Sequence, residues 1–525
     1  MVHSRPMLPS GHGELTVRPD LAEWEALLTS NRAMMSSWTF MVGGMPVGAV
    51  RRVARAEAIH VAEGFSAKLG VDLRAAGPSD EPIVATGHQP EIYHPGVWVK
   101  DFLLDRIASQ SGATALDVVV DTDGFDTVAV TSPCMTSGMD RCRQYLAVGA
   151  PGSCFASTPV PSVRDVDDFC RSADEMLATL PAPAVRRHFS VFCGHLKRAM
   201  ADANNIAELV TIARRRYESS AGTGYLEAPM TGLAQTSAFR RFVAQLALDA
   251  SAFAQAYNSE LHEYRAFTKT RSAAQPVPDL KSRDGDTELP FWLIADGIRS
   301  TLWVRAVADG RLKLLSDSGV VIELPADPSG IVEGLAQQEV LIAPKALALT
   351  MFVRMFVCDL FIHGIGGGRY DRVTDGVIRR YFGVEPPSFV VASLTMYLPL
   401  GAHVVGEDEV AAAKERLNRL EHNPDALLSE IDFDTTDEHD QAVALATEKR
   451  ALVASIALPD ADKKQLGLRI REVNGALSSI LAPLRAEYQA DLDHLQGQLK
   501  VSDILTDRTY PFCFWDPGEV ADKLP

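Results

Sequence analysis

Residues 84–100, Val-Ala-Thr-Gly-His-Gln-Pro-Glu-Ile-Tyr-His-Pro-Gly-Val-Trp-Val-Lys, bring two histidines, a glutamine and a lysine around one glycine-containing turn. His88 and His94 carry the side chain that exchanges protons near neutral pH, and Lys100 supplies a compact positive charge suited to phosphate or carboxylate. Ile83 to Ala85 reads as a buried strand, Gly87, Pro90 and Pro95 as punctuation, and Val97 to Ile107 as an amphipathic helix. Ligands of α/β sheets bind where strands hand over to helices. Gly87, Gln89 and Gly96 are therefore candidate binding positions beside His88, His94 and Lys100. The same residues also fit a tight loop that the histidines simply cap.

A second junction, residues 359–371, reads Asp-Leu-Phe-Ile-His-Gly-Ile-Gly-Gly-Gly-Arg-Tyr-Asp. The apolar run Met351 to Cys358 precedes it, a strand is expected at Phe356 to Ile362, and Arg372 to Phe382 reads as a helix closed by Gly383. Gly364, Gly366, Gly367 and Gly368 permit positive φ and close approach of a ligand to backbone N–H groups, and a helix N-terminus favours an anion. His363, Arg369 and Tyr370 complete this candidate binding turn, with Asp371 beside it. Arg369 stands where a dinucleotide fingerprint needs its third glycine, and no Gly-Lys-Ser/Thr follows, so the turn is neither that fingerprint nor a P-loop. Between the two junctions, Leu116 to Val120 ends in Asp121, Asp123 and Asp126. Carboxylates at a strand end hold magnesium, accept a proton from an amine or bind ribose hydroxyls. Asp123-Gly124 equally fits an ordinary turn, and the spacing lacks the remaining ligands of a calcium loop.

The elements that position these residues follow from composition and pattern. With 525 residues, 46% of them apolar, the chain can bury a large core. Lys and Arg number 51 against 68 Asp and Glu, and the net charge of −17 argues against a nucleic-acid partner. Arg51-Arg52 and Arg214-Arg215-Arg216 are read as solvated helix faces. Seven cysteines without a C-x-x-C pair fit a reducing cytoplasm, with neither a disulfide framework nor a zinc site. Met-Val-His-Ser-Arg-Pro at the start lacks the apolar core of a secretory leader, and no stretch is long and apolar enough for a membrane span.

The expected fold class is α/β: a Rossmann-like doubly wound parallel sheet with a helical insertion and a C-terminal antiparallel coiled-coil arm. Residues 1–80 cover the sheet, 81–150 begin the core, 151–285 form the insertion and 286–400 complete the core. The short β runs between Phe291 and Leu324 are assigned to that core. Leu466, Ile470, Val473, Leu477, Ile480, Leu484, Tyr488, Leu492, Leu495 and Leu499 step by three and four, marking 405–500 as a helical arm that Pro483 kinks. Its seam closes within a hairpin or against a second copy, which makes a homodimer one expected outcome. The aromatic tail, 501–525, docks on the core.

Thr86-Gly-His-Gln-Pro, His94-Pro-Gly96 and Lys100, the acidic strand end at 121–126, the turn at 363–370 and a helical arm, in this order, resemble the bacillithiol-biosynthesis cysteine-adding enzyme family. The family's first turn has a Gly-Pro and a glutamine pair; here the order is Pro95-Gly96 and His88 replaces one glutamine. Its Glu-Asp-His-Asp is matched only by Asp121-Thr-Asp123-Gly-Phe-Asp126, without the histidine. His-Gln-Pro followed by Pro-Gly is also similar to the opening of WbqC-like proteins, implicated in amino-acid transfer to sugars. Both resemblances imply amide-bond formation between an amino acid, cysteine in the first family, and an amine acceptor such as an amino sugar. They make ATP or another nucleotide the expected cofactor, with magnesium as its companion.

In that chemistry His88, His94, Asp123 or Asp126 would take a proton from the amine, and Lys100 would hold the anionic group. The alternatives are a nucleotidyltransferase, or a non-catalytic assembly protein working through its arm. Asn258, Glu263, Arg265, Glu288, Trp292 and Arg299 are secondary polar or aromatic candidates for a cleft. His195, His262, His403 and His494 lack partner spacing.

Overall fold

The computed structural model describes residues 8–525 except 136–137, 273–276, 308, 402–403, 432, 434 and 459–460. The N-terminal hexapeptide, His403, Ala308 of an expected turn and parts of the acidic 432–440 loop therefore lie outside the described residues. The chain divides into two units: Met1–Cys134, Arg141–Leu398 and Arg508–Pro525 in the first, and Met135–Asp140 with Pro399–Asp507 in the second.

The first unit is built on a six-stranded sheet. Its strands are β1 (Leu15–Arg18), β2 (Ile83–His88), β3 (Thr114–Val119), β4 (Leu226–Pro229), β5 (Leu360–His363) and β6 (Val390–Leu394). Their order in space is β1-β6-β5-β2-β3-β4, parallel throughout except for the edge strand β1. From β2 the chain builds outward through β3 to β4, then returns to the other side of β2 for β5 and β6. The central strands are apolar on successive residues because both faces are covered: Ile83, Val84, Ala85 and Thr86 are all buried. Four helices matter for the site: α1 (Val47–Ser66), α2 (Pro95–Ser111), α3 (Ile206–Glu218) and α4 (Ile365–Val377).

The first junction is tighter than the sequence suggests. β2 runs on to His88, paired with Val119, so the histidine is the strand's last residue. Gly87 is required there, since a Cβ would lie 2.9 Å from the Val118 carbonyl oxygen. His94 is the N-cap of α2, its Nδ1 accepting from the Gly96 N–H at 3.0 Å, and Pro95 opens the helix.

The second junction differs more. Ala346–Phe352 and Val353–Val357 are helical, the latter as a π-turn, and β5 starts only at Leu360. Residues buried on every side show no period, so an apolar run of this length does not distinguish helix from strand. Gly364 is the N-cap of α4 at φ −75°, and Gly366, Gly367 and Gly368 form the helix's first turn; none has positive φ. Two of these glycines serve packing instead: a Cβ on Gly368 would meet Val391 Cγ2 at 2.5 Å, and one on Gly367 would meet His363 Nδ1 at 2.9 Å.

Residues 286–344 do not join the parallel sheet. They form a separate antiparallel sheet in the order Val321–Pro325, Arg311–Ser316, Ile298–Val307, Asp286–Ala295 and Leu341–Pro344. Asp296-Gly297 and Asp309-Gly310, all at positive φ, are the two-residue turns that specify hairpins. The helical stretch after residue 151 contributes β4 to the parallel sheet, and its helices break at residues 200–205 and at Asp249. Cys134 and Cys142 form a disulfide across the hairpin Thr127–Met135/Met139–Val148, which corrects the expectation of wholly reduced cysteines; the remaining five are buried free thiols.

Arg214 and Arg215, read as solvated, are buried at 4% and 0% exposure. Arg214 bonds Asp101 at 2.8 Å, the Tyr225 hydroxyl at 2.8 Å, Asp117 at 3.3 Å and also Glu227. Arg215 pairs with Glu218 at 3.2 Å. Arg51 is likewise buried, on Asp359 at 2.9 Å.

The second unit consists of the helices Glu407–His422, Thr436–Ile456, Lys463–Ile480 and Ala482–Leu505 with a short 3-10 segment, Pro424–Glu430. Val410, Ala413 and Leu492 form one apolar cluster, Leu420, Leu427, Leu481 and Leu484 a second, and Ala442, Val473 and Leu477 a third. Pro483 sits in the first turn of its helix, so the long seam is two helices rather than one kinked one. Among the described residues no helix is long and apolar enough to cross a membrane.

Candidate functional site

Both junctions open into one cavity of 680 Å³ at the C-terminal ends of β2 and β5. These neighbouring strands are where the order of the sheet reverses, so the loops after them diverge and leave a crevice. Gly87, His88, Gln89, His94, Gly96, Lys100 and Asp123 line it from one side. His363, Gly364, Gly366, Gly367, Arg369 and Tyr370 line it from the other. Three residues of the candidate turns and strand end are not there: Gly368, Asp126 and Asp121, the last buried on Thr231. Gly368 is buried under Val391, and Asp126 is exposed and lines a separate depression with Glu91 and Arg143.

Lys100 projects from α2 and is 2% exposed. Its ammonium donates to Thr86 Oγ1 at 3.1 Å and to the Gly87 carbonyl at 3.0 Å, both uncharged. Burial lowers its pKa, while Asp101 and Asp117 act in the opposite direction. The His88 Nδ1–H donates to the Gln89 carbonyl, 3.1 Å away, and the ring meets Tyr93 edge-on. Burial and the Lys100 charge push its pKa down to about 3, so its ring is neutral at pH 7. A ring of that basicity orients a substrate by hydrogen bonding and is a weak proton acceptor.

His363 is the better-built proton acceptor. Its Nε2 lies 2.8 Å from Asp371 Oδ2, and Asp371 also accepts from Thr350 Oγ1 at 2.6 Å and pairs with Arg354. Burial alone would raise the Asp371 pKa, but Arg354 and His363 beside it outweigh burial and hold it below the usual carboxylate range. An ionised Asp371 keeps the proton of neutral His363 on Nε2 and leaves the Nδ1 lone pair free of it. Burial lowers the His363 pKa against the pull of Asp371. No side chain caps α4, and its first N–H groups belong to residues 365–367, of which 366 and 367 are exposed. This terminus presents backbone donors to the cavity, whereas His94 already occupies that of α2.

The acidic strand end does not converge on a cation. Asp121 accepts from Thr231, and burial lifts its pKa to about 6 against those bonds. Asp123 is held by Gln89 at 2.8 Å and Arg299 at 2.8 Å. Among the described residues no three His, Cys, Asp or Glu side chains are grouped as metal ligands. A protein-held magnesium ion does not fit this set.

Of the secondary candidates, Trp292 lines the cavity and Arg299 and Lys345 pack on its indole, at 4.9 and 4.6 Å from the ring centre. Glu288 pairs with Lys345, while Asn258, Glu263 and Arg265 bond Leu280, Arg380 and Asp279. The residues that sequence reasoning missed are Thr350, Ser393 and Arg508, all at the cavity wall. Arg508 opens the aromatic tail, whose Tyr510, Phe512, Phe514 and Trp515 are buried, with the Phe512 N–H donating to the Tyr93 carbonyl at 2.7 Å. An arginine just before a docking segment was the available signal. Compared with protein-family models and with curated proteins, the sequence matches none.

Proposed function

We propose that the protein is a ligase that joins an amino acid to an amine acceptor through an amide bond, with a nucleotide or an activated acyl donor bound at the two junctions. The observation that carries this reading is the meeting of the Gly87–Lys100 and His363–Asp371 turns in one cavity at the point where the strand order reverses. That order, read outward from β2, supports reading the sheet as Rossmann-like and doubly wound, and with it a nucleotide-sized ligand. The remote likeness to cysteine-adding enzymes points to cysteine as the amino acid and to an amino sugar as the acceptor.

The residues fit an anionic donor. The open first turn of α4 offers N–H groups with no side chain in the way at Gly366, and Lys100 supplies a fixed charge. When bound, the nucleotide supplies the leaving group that turns a carboxylate into an acyl electrophile. The amine nitrogen then attacks the acyl carbon, the bond to the leaving group breaks, and its electron pair departs with the anion beside Lys100. The proton lost by the amine passes to His363 Nδ1, with Asp371 stabilising the cation formed. Cytoplasmic residence and a homodimer formed through a coiled-coil arm accompany this proposal.

The test is thermal unfolding of the purified chain with ATP, ADP, CTP and amino acids, with and without magnesium. A ligand of the native state stabilises by RT ln(1 + [L]/Kd). Stabilisation by ATP, lost in Lys100→Ala, is expected. No shift with any nucleotide would remove the nucleotide from this reading.

A further inference from the structure

Arg508 stands where a positive charge is hard to account for without a ligand. Its Nη2 donates to Ser393 Oγ at 2.6 Å and to the Leu394 carbonyl at 2.9 Å, both uncharged, at the end of β6. It forms no ion pair among the described residues, and its Nε is buried with no hydrogen-bond partner. Burial lowers its pKa, and the Tyr397 phenol is the group opposing that shift.

The neighbours sharpen the problem. The guanidinium lies over Gly96, where any Cβ would run into it, and Gly96 is in the first turn of α2, the positive end of that helix. Lys100, one turn on, is buried on neutral partners, and Arg369 is exposed across the cavity. The acidic groups nearby are already engaged: Asp123 by Arg299, Asp371 by Arg354, and Asp101 and Asp117 by Arg214. A chain with a net charge of −17 thus concentrates three cations without carboxylate partners, Lys100, Arg369 and Arg508, around one cavity. Lys100, buried, and Arg508, half-buried, cost free energy without a carboxylate beside them, which a bound anion repays.

We infer that Arg508 is a specificity-determining residue that binds an oxyanion, a carboxylate or phosphate group, on the substrate. Ser393 holds the guanidinium and Gly96 makes room for it. Ser393 on β6 and Gly96 on α2, rather than α4, build this subsite, so a substrate that occupies both it and the α4 turn carries two anionic groups. The inference rests on the ligase reading for the name of the substrate, but not for the binding of the anion.

The experiment is isothermal titration calorimetry of the full chain with inorganic phosphate and, separately, with succinate. The wild type is compared with Arg508→Ala, Arg508→Lys and Ser393→Ala, each checked for an unchanged far-ultraviolet circular dichroism spectrum. The wild type should bind at least one anion. Arg508→Ala should weaken it tenfold or more, Arg508→Lys should recover part of the loss, and Ser393→Ala should cost several-fold. The anion preferred by the wild type distinguishes phosphate from carboxylate. If Arg508→Ala does not fold, Ser393→Ala carries the test. Binding that is unchanged within twofold in the folded variants, or absent from the wild type for both anions, overturns the inference. Arg508-dependent anion binding without amide product would refute the ligase and leave this subsite standing. Amide formation with unchanged KM in Arg508→Ala would refute the subsite alone.

Discussion

Asp371→Asn tests the buried support of His363. The substitution keeps the shape of the side chain but removes the charge facing Arg354, which is 1% exposed. Removing one partner of a buried ion pair costs about 3–5 kcal/mol, because the other charge stays buried. Arg354 retains Asp375 at 2.7 Å and the Pro387 carbonyl, so the expected loss lies at the lower end, about 3 kcal/mol, or more than a hundredfold in the folding equilibrium. All six tryptophans, at 24, 38, 98, 292, 303 and 515, belong to the first unit, so urea unfolding followed by tryptophan fluorescence reports on that unit and not on the helical arm. Asp371 has a depressed native pKa, so its contribution is present above the unfolded value near 4 and is lost as pH falls toward the native value. The gap between wild type and variant should therefore be full at pH 7 and shrink below about pH 4. Arg354→Met, alone and combined with Asp371→Asn, closes a double-mutant cycle whose coupling should exceed about 1 kcal/mol. A destabilisation below about 1 kcal/mol at pH 7, or additive losses, would refute the claim that this pair is an energetic unit.

Asp101 and Glu227 have pKa values raised by burial to about 7 and about 8 against the pull of Arg214, so each favours the protonated native state. The stability these two groups contribute falls as pH rises from their unfolded values near 4 to about 7 for Asp101 and about 8 for Glu227. His88 acts in the opposite sense up to its unfolded value near 6.5 but is common to wild type and variant, so the urea midpoint of Asp101→Asn relative to wild type should rise between about pH 5 and 7; a constant difference would exclude the effect. Gly368→Ala should destabilise by up to about 2 kcal/mol, because overpacking against Val391 exceeds the helical gain of about 1 kcal/mol, whereas Gly366→Ala, with open space around it, should be neutral or slightly stabilising in the same urea assay. Alkylation of the denatured chain without reductant should modify five cysteines, and with reductant all seven, as read by intact mass.

The junctions that build the cavity were legible because polar residues follow apolar strands at Gly87 to Lys100 and at His363 to Asp371, and such local patterns survive folding. What they contribute chemically was less so. His88 and Lys100 are local in sequence, but the neutral state of His88 follows from the density of packing around it. His94 was one of two readings, ligand-facing or cap, and it lines the cavity while serving as the cap. Arg214 looked solvated because its partners Asp101, Asp117 and Glu227 are scattered over separate elements, and only the β3–β4 register, with Asp117 opposite Glu227, brings two of them together. Arg508 lies beyond the helical arm in sequence, so no local pattern ties it to Gly96. The antiparallel sheet could have been read from Asp296-Gly297 and Asp309-Gly310, whose turn chemistry marks hairpins rather than crossovers.

The most direct measurement is mass-spectrometric detection of an amide product from the wild type and His363→Ala, incubated with ATP, magnesium, cysteine and a glucosamine-type amine. The account predicts a product whose mass is the sum of amino acid and amine less one water, formed only with ATP and reduced at least a hundredfold in His363→Ala, about the scale of general-base catalysis. Product formed equally by His363→Ala would contradict the assignment of the base. No amide from the wild type across a panel of amino acids and amines, with ATP bound and intact, would contradict the ligase itself.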